Sequence, residues 1–295
     1  MNQWGMKRYG IYALIIAVVF CDAVRGAFVI NAADKSLKVM TFNIRYNEPK
    51  DGINAWANRK TKVADVIKAQ GSDLVGVQEA LIEQLNDLED LLPGFARCGV
   101  GRTDGMEAGE FSAIFYRRSR FKLLETSTFW LSETPQKAGS MGWDAAYPRV
   151  VTWAKFYDNR TKKTFFHFNT HFDHRGERAR VESSKLLLNE IETIAKKSAI
   201  VVTGDFNAIE TTEVYKALTA GTELKLRDAR YVNETPYFGP TSTFNDFKEL
   251  IPERKIDYIF VKNRAKVLRH GALSDRPGGL WPSDHLPVVA VVVFD

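Results

Sequence analysis

The chain has 295 residues, of which 45% are hydrophobic and 26% charged, and its formal net charge is +5. That balance excludes a disordered or fibrous chain, and a mild basicity without a dense Lys and Arg run excludes little else about partners. Two cysteines rule out a disulfide-dense scaffold, and no repeat period or low-complexity linker divides the sequence.

At the N-terminus Lys7 and Arg8 precede an apolar run over residues 11–20, closed by Asp22 and Arg25 and followed by small residues at Val24, Gly26 and Ala27. This is the pattern of an export signal over residues 1–26, ahead of one domain over residues 36–295. A run this short falls well below the ~20 apolar residues that span a bilayer, so no stable membrane span is expected. Cleavage after Gly26 fits the small-x-small rule, with a later cut near Ala33 as the alternative. Cys21 opens a lipoprotein reading, which the bulky Phe20 before it disfavours. Loss of Lys7, Arg8 and Arg25 together with Asp22 removes a net +2 and leaves +3, with Cys98 as a lone, buried thiol.

Leu37 to Ile44 alternates, with Val39, Thr41 and Asn43 on one face and Met40, Phe42 and Ile44 on the other, which predicts a strand. A helix is expected from Trp56 to Gln70 on the stripe Val63, Val66 and Ile67, then a short buried strand from Leu74 to Val77 that delivers Gln78 and Glu79 at its end. Leu81, Leu85, Leu88 and Leu92 recur at helical spacing until Pro93-Gly94 stops them. The middle of the chain reads as antiparallel hairpins, with strand-like runs over Phe111 to Tyr116, Phe121 to Leu131, Val150 to Tyr157 and Thr164 to Thr170. A helix from Glu177 to Lys197 and the apolar strand Ile200 to Thr203 follow, and the last strands are expected at Ile256 to Val261 and Pro287 to Phe294. Two sheets packed face to face with helices outside accommodate this order.

Polar residues stand where these runs end: Asn43 in TFNIRY, Glu79 in VGVQEA, Asp205 and Asn207 in VVTGDFNA, and Asp284 with His285 in WPSDHLPV. Strand ends on one rim bring such residues into a common pocket of carboxylates, amides and imidazole. That chemistry suits a hard divalent cation and a phosphate ester.

The ordered series NIR, QE, NTHFDH, GDFN, IDYIFV and SDHLP resembles the endonuclease/exonuclease/phosphatase (DNase I-like) superfamily over roughly residues 37–294. The resemblance implies a four-layered α/β/β/α sandwich, with two mainly antiparallel sheets and the active site at one edge of both. It places metal ligands at Asn43, Glu79 and Asp284, for Mg²⁺ or Mn²⁺, and a residue that activates water at Asp205, supported by Asn207. Asp257 is expected to accept a hydrogen bond from His285 and favour its imidazolium, while His171 is expected to contact phosphate. Arg149, Asn169 and Trp281 are candidates for substrate binding; His167 reads as a core histidine.

These expectations add up to metal-assisted hydrolysis of a phosphodiester by in-line attack of water. A phosphomonoesterase acting on a sugar or inositol phosphate is the alternative, and a silent phosphate-binding module a third reading. Partners are then a phosphoester substrate, including single-stranded nucleic acid or a nucleotide. Oligomeric state leaves no mark in the sequence.

Overall fold

The computed structural model describes Met1 and residues 35–221 and 225–295. Apart from Met1, the expected export signal lies outside the described residues. Two mixed sheets of six strands each carry the architecture. The first contains β1 (Leu37–Asn43), β2 (Leu74–Gln78), β3 (Phe95–Cys98), β4 (Ile114–Arg117), β11 (Ala265–Ala272) and β12 (Val288–Phe294), in the order β11-β12-β1-β2-β4-β3. The second contains β5 (Phe121–Trp130), β6 (Val150–Asp158), β7 (Lys163–His171), β8 (Ala199–Asp205), β9 (Arg227–Asp228) and β10 (Asp257–Lys262), in the order β5-β6-β7-β8-β10-β9.

Alternation along each strand sorts the apolar side chains into three cores. Val39, Leu74, Phe156, Phe165, Val201 and Ile259 meet between the sheets. Met40, Phe42 and Val75 turn the other way, onto α1 (Trp56–Ala69) and α2 (Ile82–Leu91) through Val63, Ile67 and Leu88. On the far side, Phe166, Phe168 and Val202 pack against Leu187 and Ile191 of α3 (Glu177–Ala195) and Val214 of α4 (Glu213–Thr219). The result is the expected α/β/β/α sandwich, completed by the short α5 (Ala229–Val232).

Each sheet has one parallel pair at its centre, and these two pairs position the site. A parallel pair needs a crossover, and α1 supplies it for β1 and β2, α3 for β7 and β8. Both strands of each pair therefore finish at the same rim. In register, Asn43 lies beside Gln78, His171 beside Asp205, and Asp205 beside Asp257.

The sheets are joined by a buried polar seam rather than by apolar contact alone. Asn169 donates from Nδ2 to the backbone oxygens of Val77 and Ala113, both at 2.9 Å, while its Oδ1 accepts from Gln78 Nε2 at 2.6 Å and Thr203 Oγ1 at 2.9 Å. Gly76 makes room for this seam: a Cβ there would stand 2.2 Å from Thr203 Oγ1 and 2.4 Å from Asn169 Oδ1. His167 Nε2 reaches Thr203 Oγ1 at 2.8 Å, and burial pushes its pKa down to about 3.

Several elements depart from the sequence reading. Strand β11 was not expected, because a bulge between Val267 and Arg269 breaks its alternation and charged residues interrupt it. The four-residue β3 is too short to show a period. In the run over Phe111 to Tyr116 only the second half is strand, Phe111 making an isolated bridge to Ala80. Cys98 is buried with its thiol pushed up to about 11, as an inert thiol should be.

Candidate active site

At the rim where β1, β2, β7 and β8 end, a cavity of about 540 Å³ is lined by Glu79, His171, Asp205, Asn207, Asp284 and His285 among others. The backbone works to aim these groups. Glu79 has φ 63°, Asn207 φ 47° and Arg45 φ 56°, a left-handed conformation that costs non-glycine residues about 1–3 kcal/mol. With Asp246 and Phe247, at φ 51° and 57°, five such positions line one cavity, local strain held in place by the surrounding fold.

Arg59 of α1 does much of the holding. Its buried guanidinium donates to the backbone oxygens of Ile44, Asn54 (2.7 Å), Arg45 (2.8 Å) and Pro282 (3.2 Å), tying the segment after β1 to the segment before Asp284. Burial lowers its pKa to about 10. Ser283 Oγ lies 2.7 Å from Asn43 O and 3.1 Å from Asp284 Oδ1, its single hydrogen best placed on the shorter contact.

Asp205 lies at the centre. Its Oδ1 accepts from the Asn207 backbone N–H at 2.9 Å, and its Oδ2 from Asn43 Nδ2 at 3.0 Å. The same Oδ2 is 3.4 Å from His171 Nε2 and 3.7 Å from His285 Nε2. Burial and the neighbouring Asp257 push the Asp205 carboxyl up to about 7. Behind it, His285 Nδ1 meets Asp257 Oδ2 at 2.9 Å. Burial alone would depress His285, but Asp257 and Asp205 raise it well above the usual imidazole value, so it stands as an imidazolium. His171 goes the other way: burial, then Arg149 and Arg102, hold it well below that value and neutral.

Ligand atoms of Glu79, Asp205 and His285 lie within 4.8 Å of one another, and since the protonated His285 has no lone pair to give, the carboxylates are the part of this group that a cation would take. Asp284 lines the same cavity, its carboxyl raised to about 6 by burial and by Glu79, against the pull of His285. Burial works against the Glu79 charge as well, but His285, Asn43 and Arg45 outweigh it and hold this carboxyl below its ordinary value. Buried carboxylates of this kind fit a hard cation, whose charge offsets the burial and, secondarily, the neighbouring carboxylates that raise Asp205 and Asp284.

Asn43, expected as a metal ligand, stands among these groups, its Nδ2 against Glu79 Oε1 (2.9 Å) and Asp205 and its Oδ1 accepting from the Arg45 N–H at 3.0 Å. Two expectations need correction. Asn169 does not reach the cavity, because the seam between the sheets uses its whole amide. Trp281 is buried in the inter-sheet core, with its indole N–H on Lys248 O at 2.6 Å and Arg276 over its ring at 3.8 Å, so neither face is offered to a substrate.

The aromatic walls come from Tyr46, Tyr147, Phe244 and Phe247 instead. Arg149 does line the cavity, joined there by Arg45, Arg102 and Arg254. Arg149 Nη2 lies 3.0 Å from His174 Nδ1, and His174 stacks on Tyr147 at 5.9 Å. Glu110 pairs with Arg102 through both oxygens at 2.7 Å, and burial together with Glu79 pushes its carboxyl up to about 7. The sequence reading missed Arg102, Glu110 and Tyr147. They come from loops without periodicity, and only the pairing of Arg102 with Glu110 across a glycine-rich turn hinted at them.

A model of the endonuclease/exonuclease/phosphatase family matches residues 40–285. The chain belongs to this family. An endonuclease/exonuclease/phosphatase from Bacteroides vulgatus is 40% identical, with a TM-score of 0.85 over 88% of this chain and 99% of that one. A mannosyl-6-phosphatase from Bacteroides thetaiotaomicron is 36% identical, with a TM-score of 0.82 over 88% of this chain and 100% of that one. The human Nocturnin catalytic domain, solved with a sulfate anion, shares the fold at 23% identity and a TM-score of 0.69, over 88% and 94% of the two chains. Family membership makes this a phosphoesterase fold, and the acidic group around Glu79 is its candidate metal site.

Proposed function

We propose that this protein is a Mg²⁺- or Mn²⁺-dependent phosphoesterase whose substrate is the phosphate monoester of a compact, polar alcohol such as a sugar. The observation that carries the reading is the meeting of Asp205, His171, His285 and Glu79 at one rim, with Asp205 Oδ2 within 3.7 Å of both imidazoles. Four arginines around a cavity of about 540 Å³ favour a small dianionic phosphate over a long diester chain. Similarity to a mannosyl-6-phosphatase supports the same choice.

Asn207 spends both amide hydrogens, on His171 Nε2 and Phe172 O, each at 3.0 Å. Its side-chain oxygen is then left to hold a water, which Asp205 deprotonates; a base raised to about 7 is matched to neutral pH. The His285 imidazolium, fixed by Asp257, stabilises charge gathering on the non-bridging oxygens, and Arg149 and Arg102 orient the phosphate. When bound by Glu79 and Asp284, a divalent ion supplies Lewis-acid polarisation of the phosphoryl group. Lys7, Arg8 and the apolar run behind them support an exported location, which cell fractionation tests.

The functional test is chelator-sensitive release of phosphate from mannose 6-phosphate and nitrophenyl phosphate, set against bis-nitrophenyl phosphate. Monoester turnover is expected to dominate, and Asp205→Asn or His285→Ala to lower kcat by roughly 100-fold or more in a folded protein. Preferred diester turnover would return the assignment to a phosphodiesterase, and full activity in either variant would overturn the mechanism.

A further inference from the structure

The rim opposite the catalytic cavity carries a second recess, open to solvent and of about 770 Å³. It lies where β7 and β8 begin and β12 ends, and the nine residues of β7 set it roughly 25 Å from His171 at ~3.3 Å per residue. Five cations border it: Lys162 and Lys163 at the turn into β7, Lys196 and Lys197 between α3 and β8, and Arg264 between β10 and β11. Their charge is not balanced locally. Among the described residues no carboxylate pairs with the side chains of Lys162, Lys196, Lys197 or Arg264, and the one acidic side chain on the wall, Asp295, is held by Lys266 at 3.2 Å. Lys163 Nζ is fixed over the recess by Phe294 O at 2.9 Å, with two hydrogens still to donate.

The backbone holds two of these lysines where a lysine is unfavourable. Lys162 has φ 61°, and Lys196 has φ 50° with ψ −121°, the conformation that glycine usually takes at the first central position of a type II′ turn. Asn263, at φ 62° in the neighbouring turn, follows the ordinary preference for asparagine, and its Nδ2 donates to Lys196 O at 3.0 Å and Ser198 O at 2.6 Å, locking the turns together. The dipole of α3 favours cations at its C-terminal end and accounts for Lys196 and Lys197. It does not account for Lys162, Lys163 and Arg264, which two other turns bring to the same place.

We propose that this recess is a second binding site, for a compact polyanion: a sugar or polyol bearing several phosphate or sulfate groups. Its volume falls in the range of small-molecule sites, and cations that surround a hollow suit anionic groups clustered on one molecule. A bilayer is too flat to enter it, and a nucleic acid strand calls for a stripe of charge along its backbone. The inference does not rest on the phosphoesterase reading.

The test is calorimetric titration of the Mg²⁺-loaded protein with sucrose octasulfate, which has no phosphoester, and with methylenediphosphonate, whose P–C–P bridge resists hydrolysis. Binding of sucrose octasulfate is expected, and Arg149→Ala, in the catalytic cavity, should keep it. Lys162→Gly/Lys196→Gly, which supplies the residue both turns favour, should weaken it roughly 10-fold or more while ester turnover and Tm stay at or above wild type. Methylenediphosphonate binding with the same dependence on the two lysines extends the ligand class to phosphate. The proposal is overturned by absence of sucrose octasulfate binding, or by binding that Arg149→Ala abolishes and the double variant keeps. It is equally overturned if the double variant impairs binding to phosphatidylglycerol vesicles or to single-stranded DNA and leaves that of sucrose octasulfate unchanged.

Discussion

Asp257 does not line the cavity, yet it decides the charge of His285. Because the carboxylate raises that imidazole far above its ordinary value, the protonated form persists through neutral pH. Asp257→Asn removes the charge and keeps the shape. Its expected effects are a kcat lower by roughly 10- to 100-fold and a basic limb of the pH–rate profile that moves to lower pH, since the imidazolium now loses its proton earlier. An unmoved basic limb would show that some other group sets it. The sequence supported this pair well: alternation in IDYIFV placed Asp257 with Ile259 on a buried face, where a carboxylate needs a partner.

At the scale of elements, the polar seam sets how closely the two sheets approach and thereby how their rims align. Asn169→Leu removes the seam's bonds to Gln78 Nε2, Thr203 Oγ1 and the backbone oxygens of Val77 and Ala113, although Gln78 Nε2 keeps Thr41 Oγ1 and Ala113 O keeps the Val77 N–H. A loss of about 2–4 kcal/mol in urea denaturation is expected, from the buried hydrogen bonds lost together. Gly76→Ala tests the same seam from the other side, its new methyl colliding with Thr203 and Asn169, with an expected cost of about 1–3 kcal/mol. If both variants keep wild-type stability, the seam is dispensable. Alternation did place Asn169 on the face it shares with His167 and His171, but it could not say that this stretch of the face meets another sheet instead of the cavity.

For the molecule as a whole, buried histidines govern part of the response to acid. Both nitrogens of His270 lack partners among the described residues, and burial lowers its pKa to about 3, as it does for His167. Between that value and the ordinary 6.5 the unfolded chain binds a proton that the folded chain refuses, so this contribution to stability shrinks as pH falls. The raised carboxyls of Asp205, Glu110 and Asp284 act in the opposite sense, keeping protons in the fold that the unfolded chain has released. His270→Phe, at a residue that does not line the cavity, isolates one term. Relative to wild type it should gain about 1.4 kcal/mol per pH unit on going from pH 6 to pH 4, and nothing above pH 8. Parallel stability–pH curves for the two proteins would contradict that account.

Sequence alone determined the layered class, most strand and helix positions and the rim residues Glu79, Asp205, Asn207, Asp284 and His285, because each follows from local alternation and from polar groups that end apolar runs. Tertiary structure alone decided which polar groups face the cavity and which join the sheets. It also decided that Arg59 ties two segments together from inside a helix, and that Arg102, Glu110 and Tyr147 build the distal wall. The physical reason is range: hydrophobic period is a property of neighbours along the chain, whereas the partner of a buried charge or amide is set by whatever the folded chain brings within about 3 Å of it.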